Sequence, residues 1–249
     1  MDLNSDLGEG FGAWTMGNDE AMLDIVTSAN IACGFHAGDA SVMRRVCERA
    51  AERGVAIGAH VGYRDLAGFG RRALDIAPED LADEVLYQIG ALDAFARAAH
   101  SCVRYVKAHG ALYNTAAVDP EQAAALVEGV RRYHTDLALL CPPDSEMLRA
   151  AQAAGVPAYA EAFADRAYTP EGRLVSRKLP GAVLHDADEV AARALTMATT
   201  GEVVDAEGGK LTLRADSLCV HGDTPGAVEL ARRIRELLTE SGVVLRSFV

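Results

Sequence analysis

The residue types able to move protons, hold charge or ligate metal fall in short clusters along the chain. They are Asn4, Asp6 and Glu9; His36 and Asp39; His60, Tyr63 and Asp65; Lys107, His109, Tyr113 and Asn114; Glu161, Asp165 and Arg166; and His221 with Asp223. Carboxylates and imidazoles at this density suit acid-base catalysis or metal-assisted attack of water. Asp6, His36, His60, Lys107 and His109 are the candidate catalytic groups. Asn4, Glu9, Tyr63, Asn114, Glu161, Asp165, Arg166, His221 and Asp223 are the candidate substrate contacts. Lys107 stands out because lysine is rare in this chain and this one closes an apolar strand, where its ammonium can hold a carboxylate or stabilise an oxyanion. Asp6, His36 and His60 form the set that would hold a divalent ion. No H-x-x-x-H pair accompanies them, so the sequence leaves a bound metal open.

Each cluster also has a structural reading. Asp39 stands where a helix N-cap is wanted, and a strand-end histidine is often a satisfied structural group. The functional reading rests on asymmetry: every cluster follows a short apolar or β-branched run, while the opposite ends of those runs, at Ala56, Arg104 or Ala158, show no such enrichment. Motifs that are missing narrow the chemistry. There is no G-x-x-x-x-G-K-[ST] phosphate loop, no G-x-G-x-x-G after a strand and no G-x-S-x-G nucleophile elbow, so covalent acyl-enzyme chemistry is disfavoured.

The elements that must position these groups are legible as alternation. Strands are expected at Met1–Leu3, Ser28–Phe35, Val55–Val61, Val103–Lys107, Leu137–Leu140, Val156–Phe163 and Ser217–Val220. Between them run stretches of helical period, such as Leu81, Val85, Ile89, Leu92, Ala96 and Ala99. Asn18, Asp39, Asp119, Asp144 and Thr224 are expected N-caps; Pro78, Pro120 and Pro225 fit first turns, and Gly54 and Gly155 fit helix stops. Strand-helix alternation implies a parallel sheet with right-handed crossovers, and closure into a barrel would bring all the clusters to one rim. Residues 1–249 read as a single domain, with a small β-hairpin inserted at 202–213 around Gly208-Gly209.

With 249 residues, half of them hydrophobic, the chain can bury a large core. Its 36 acidic and 24 basic residues give a net charge of −12, which opposes binding to nucleic acid or to an anionic membrane surface. No apolar run approaches the roughly 20 residues of a membrane span, and the acidic start MDLNSDLGEG is unlike a signal peptide, so a cytoplasmic location is expected. Five cysteines without a C-x-x-C pair argue against a disulfide framework or zinc knuckle.

Several motifs together carry a family resemblance: DLNSDLGEGFGAW (2–14), ANIACGFHAGD (29–39), GAH (58–60) with GFGRR (68–72), HGALYN (109–114), EAFADRAY (161–168) with PGAV (180–183), and CVHGDTPGAV (219–228). In this order, from Asp2 to Val228, they resemble the LamB/YcsF family. The resemblance implies a seven-stranded parallel β/α (TIM-like) barrel of the glycoside hydrolase/deacetylase type. It also implies the activity of the A subunit of an ATP-hydrolysing 5-oxoprolinase, which opens 5-oxoproline to L-glutamate using ATP, with Mg2+, and water, alongside partner subunits B and C. Ala40, Val61, Ala108 and Ser176 depart from the family by replacing proline, and Arg64 replaces a small residue or proline. Two other classes stay open: a metal-dependent deacetylase or carbohydrate-active hydrolase on the same barrel, and a non-catalytic scaffold subunit.

Overall fold

Strand and helix alternate as the residue pattern requires in the computed structural model, which describes residues 1–222 and 226–249. Seven parallel strands close into a barrel in the order β1 (Asp2–Leu7), β2 (Ser28–Ala32), β3 (Ala56–Val61), β4 (Val103–Ala108), β5 (Ala138–Cys141), β6 (Ala158–Phe163) and β9 (Ser217–Cys219). The ring closes because Ser217 of β9 sits in register with both Glu161 of β6 and Asp2 of β1. A two-stranded antiparallel hairpin, β7 (Glu202–Val204) and β8 (Lys210–Thr212), precedes the last barrel strand.

Helices α1 (Asp19–Leu23), α2 (Ala40–Arg53), α3 (Pro78–Ala98), α4 (Gly110–Ala116), α5 (Pro120–Tyr133), α6 (Glu146–Ala154), α7 (Ala187–Thr200) and α8 (Ala227–Glu240) pack around it. Local chemistry fixes their ends. The side chains of Asn18, Asp39 and Asp119 accept backbone N–H bonds at their N-termini, Pro78 and Pro120 occupy first turns, and Gly54 and Gly155 end α2 and α6 in the left-handed conformation. The expected cap at Asp144 is corrected to Ser145, whose Oγ accepts from Leu148 N at 3.2 Å. Thr224 and Pro225 lie outside the described residues.

Strand alternation sorts the barrel's two faces. Leu3, Leu7 and Ile31 are buried in the layer between strands and helices, each stabilising the fold by roughly 1.5–3 kcal/mol. The alternate residues turn inward and are polar: Asp2, Asn4 and Asp6 on β1, Ser28 and Asn30 on β2, Tyr105 and Lys107 on β4. Two strand ends differ from expectation by more than two residues. β1 continues to Leu7, so Asn4 and Asp6 belong to the strand itself, and β2 stops at Ala32 because the chain turns through Cys33 to Gly38, with Gly34 N donating to Ala37 O at 2.8 Å.

Candidate active site

Polar residues fill the barrel interior as a hydrogen-bonded column. At its base, Asp2 accepts from Ser28 Oγ at 2.7 Å and from Ser217 Oγ. Ser217 Oγ accepts from Asn4 Nδ2 at 2.6 Å. Above it, Asn30 Nδ2 donates to Asn4 Oδ1 at 2.7 Å and to Asp6 Oδ1 at 2.8 Å, while its own carbonyl accepts from Tyr105 OH at 2.6 Å. A buried polar group without partners costs roughly 1–3 kcal/mol, so this column holds its members in one arrangement.

Lys107 crowns the column. Its Nζ lies 3.2 Å from Asp6 Oδ1, 2.9 Å from Glu161 Oε2, 3.3 Å from Asn4 Oδ1 and 3.2 Å from Cys219 Sγ, and the residue is 2% exposed. Burial works against its charge, but Asp6, Cys219 and Glu161 outweigh burial and hold the ammonium protonated well above the usual lysine range. Burial likewise opposes ionisation of Asp6. Attraction to His60, Lys107, His221 and His109 wins and holds that carboxyl well below its ordinary value. With His60 uncharged at neutral pH, Lys107 is the cation chiefly responsible. Glu161 is shifted the other way, upward, by burial.

Three imidazoles stand beside this charged set. The His36 and His109 rings stack at 3.8 Å between centroids with 6° between planes, and His60 meets both edge-on at 5.3 and 4.9 Å. Burial pushes all three pKa values down, His60 to about 3, so each ring is neutral at physiological pH. Glycines permit this crowding. A Cβ at Gly62 would lie 2.7 Å from His36 Nδ1, and one at Gly70 would lie 2.7 Å from His109 Nδ1. Gln88 of α3 pins the loop after β3, accepting from Gly62 N at 2.9 Å and donating to Gly62 O at 3.0 Å.

A cavity of about 870 Å3 opens over this floor. Asp6, Glu9, His60, Lys107, His109, Glu161, Arg166, His221 and Asn114 all line it. Asp165 backs His221, accepting from its Nδ1 at 2.9 Å and thereby orienting the ring. His36 stands behind His109 and Asn4 lies beneath Lys107, so both shape the site from outside the cavity lining. Arg166 donates to Ala182 O at 3.1 Å and Val175 O at 2.6 Å, ordering the segment that covers one side.

Tyr63 is a correction. With Gly62 clamped by Gln88, Tyr63 turns into the helix layer and donates to Gln122 Oε1 of α5 at 3.0 Å, away from the cavity. Arg64 also points elsewhere, lying 4.4 Å over the Phe35 ring. Asp223 lies outside the described residues. Sequence reasoning missed Asn30, and it missed the cations Arg71, Arg149, Arg173, Arg177 and Lys178 that also line the cavity. Asn30 was detectable as a lone amide inside an apolar strand.

The donor set is suited to a divalent metal, but the grouping differs from Asp6, His36 and His60. Among the described residues, ligand atoms converge within 4.8 Å in two sets, Glu9 with His36 and His109, and Asp6 with Glu9 and His60.

A closed seven-stranded parallel barrel with polar and ionisable groups converging at the C-terminal ends of its strands is the glycoside hydrolase/deacetylase type of β/α barrel. A peptidoglycan N-acetylglucosamine deacetylase shares this fold at 12% identity, TM-score 0.52, over 99% of this chain and 85% of that one. The chain belongs to the LamB/YcsF family, whose model matches residues 1–249. It is 63% identical to a protein of Nocardia farcinica that bears the name of the 5-oxoprolinase A subunit, covering 100% of this chain and 99% of the relative. The structure of a lactam utilization protein from Thermus thermophilus aligns at TM-score 0.95 and 43% identity, over 100% of this chain and 99% of that one. Among the described residues no helix is long and apolar enough to cross a membrane.

Proposed function

We propose that this chain is the lactam-binding component of an ATP-dependent 5-oxoprolinase, its A subunit, acting with B and C subunits to convert 5-oxoproline to L-glutamate with release of ADP and phosphate. The observation that carries the reading is full-length likeness to relatives that bear the name of the 5-oxoprolinase A subunit. The cavity supplies chemistry that suits it.

A five-membered lactam is a poor electrophile with an amine leaving group, so opening it needs activation at oxygen and a proton at nitrogen. Transfer of the terminal phosphoryl group of ATP to the lactam oxygen makes the ring carbon electrophilic. Water adds there, the ring C–N bond breaks as nitrogen takes a proton, and a second water releases phosphate from the resulting acyl phosphate. Lys107, locked as a cation, stabilises negative charge on oxygen and cannot serve as base. Asp6, held ionised by Lys107, is a weak base. His60 and His109, uncharged and lining the cavity, can accept a hydrogen bond from the attacking water and orient it. In this reading His221, oriented by Asp165, passes a proton to nitrogen. Arg166, Arg173 and Lys178 offer cations to the substrate carboxylate and to the phosphates.

The test is to incubate the chain with 5-oxoproline and MgATP, alone and with B and C subunits, following glutamate and ADP together. Glutamate formed in step with ADP when the partners are present supports the proposal. Verified, assembled partners that yield no glutamate defeat it, as does glutamate formed without ATP.

A further inference from the structure

Two buried polar side chains in the cavity wall have hydrogen-bonding capacity that the protein leaves unused. Glu161 is 1% exposed and Tyr113 6%, and both line the cavity. Lys107 meets Glu161 Oε2 at 2.9 Å, but among the described residues neither Glu161 Oε1 nor Tyr113 OH has a hydrogen-bond partner. After burial itself, each is among the groups that perturb the other's ionisation, so carboxylate and hydroxyl stand side by side. Native interiors seldom leave such groups unpaired unless a ligand or water completes them.

Their neighbours are already committed. Asp6 Oδ1 accepts from Asn30 at 2.8 Å and faces Lys107 at 3.2 Å, and the Lys107 ammonium is shared among Asp6, Glu161, Asn4 and Cys219. The uncommitted pair is therefore one acceptor and one donor. Phe163, two residues beyond Glu161 on the same face of β6, meets Tyr113 edge-on at 5.8 Å and stacks on His221 at 5.4 Å. The pair thus belongs to the wall that also carries His221.

We infer, resting on the lactam reading above, that Glu161 and Tyr113 read the cis edge of a lactam, Glu161 accepting its ring N–H while Tyr113 donates to its carbonyl oxygen. Ring closure forces the amide cis, so N–H and C=O point the same way from adjacent atoms, and an acceptor beside a donor meets both. An open-chain secondary amide prefers trans, which turns the two groups to opposite sides and leaves one of them unmet. A lactone keeps the carbonyl but puts a ring oxygen, a second acceptor, where the carboxylate needs a donor.

Calorimetry on the full chain, without ATP or partner chains, compares 5-oxoproline with its lactone analogue, which carries oxygen in place of the ring nitrogen. Wild type should bind the lactam about 10- to 100-fold more tightly, since the lactone leaves a buried carboxylate facing an acceptor. Glu161→Gln should erase most of that preference, because an amide can turn its NH2 toward the lactone's ring oxygen. Tyr113→Phe should weaken both ligands by about 3- to 10-fold and keep their ratio, since both retain the carbonyl. A general disturbance of packing would not split the two variants in this way. Circular dichroism establishes folding, and if Glu161→Gln fails to fold, the wild-type ratio and Tyr113→Phe decide. Equal affinity of wild type for lactam and lactone overturns the inference. So does a preference that survives in folded Glu161→Gln, a Tyr113→Phe that binds both as wild type does, or no measurable lactam binding. None of these outcomes touches the assay of glutamate and ADP in the assembled enzyme, which decides the proposed function separately.

Discussion

Acid should unfold this barrel through its histidines before its carboxylates, and the effect can be isolated. His36, His60 and His109 are neutral in the fold because burial lowers their pKa values, that of His60 to about 3. In the unfolded chain each titrates near about 6.5. A depressed histidine therefore contributes stability that is present above about pH 6.5 and is lost as pH falls toward the folded-state value. Each such group changes unfolding free energy by about 1.4 kcal/mol per pH unit across the window, so three together give about 4 kcal/mol per unit. Glu161 and Asp2, whose pKa values are raised by burial above the ordinary carboxylate range, pull the other way, so the net slope is smaller. The difference between proteins removes that complication. Urea unfolding followed by circular dichroism, with chelator present, should give His60→Gln a slope between about pH 6 and pH 4.5 that is shallower than wild type by about 1.4 kcal/mol per unit. Parallel slopes for the two proteins would show that His60 is already protonated in the fold and would refute the neutral-imidazole argument.

Replacing Lys107 with Met leaves Asp6 and Glu161 without their shared cation and should destabilise the protein by about 3–5 kcal/mol, with Lys107→Met/Glu161→Gln recovering part of the loss in chemical denaturation. Asn30→Leu should remove the two amide bonds that place Asp6 and Asn4 and lower kcat with little change in KM, whereas Asn30→Asp in steady-state assays of the assembled enzyme should fail to rescue it because a carboxylate cannot donate. Gly70→Ala should cost more than the roughly 1–2 kcal/mol of a left-handed backbone alone, since the new Cβ would also meet both His36 and His109; thermal unfolding measures it. Tyr63→Phe should cost about 1 kcal/mol of stability and leave turnover unchanged, because its hydroxyl serves Gln122 and not the cavity.

What was legible in the sequence follows from which signals are local. Strand runs, N-caps and glycine stops depend on neighbouring residues, and they foretold the alternation that closes into a barrel, along with the hairpin pairing of Glu202–Val204 with Lys210–Thr212. Strand-end histidines and Lys107 were visible because polar groups after apolar runs are conspicuous. Depth was not visible. Asn4 was expected to meet substrate and His36 to act in catalysis, but inward alternation on β1 and the turn after β2 place them one layer away. Tyr63 was misjudged because the clamp that turns it outward comes from Gln88, which lies 26 residues beyond Gly62 on another element. The cations of 173–178 belong to a segment without periodicity, so nothing in their spacing announced that they would fold over the cavity.

The bonds that build the floor also tie together opposite ends of the chain. Asn4 meets Ser217 across 213 residues of sequence, Lys107 meets Cys219, and His221 meets Asp165, so the last barrel strand supplies contacts that the first six lack. On the ribosome, helices and early strands can emerge and pair while the site does not yet exist. Its Lys107 ammonium and the carboxylates around it remain in contact with water until β9 arrives to seal the ring. Assembly of the cavity floor thus waits for the last barrel strand, and a nascent chain stalled before residue 217 would carry nearly every cavity-lining side chain yet form no closed site.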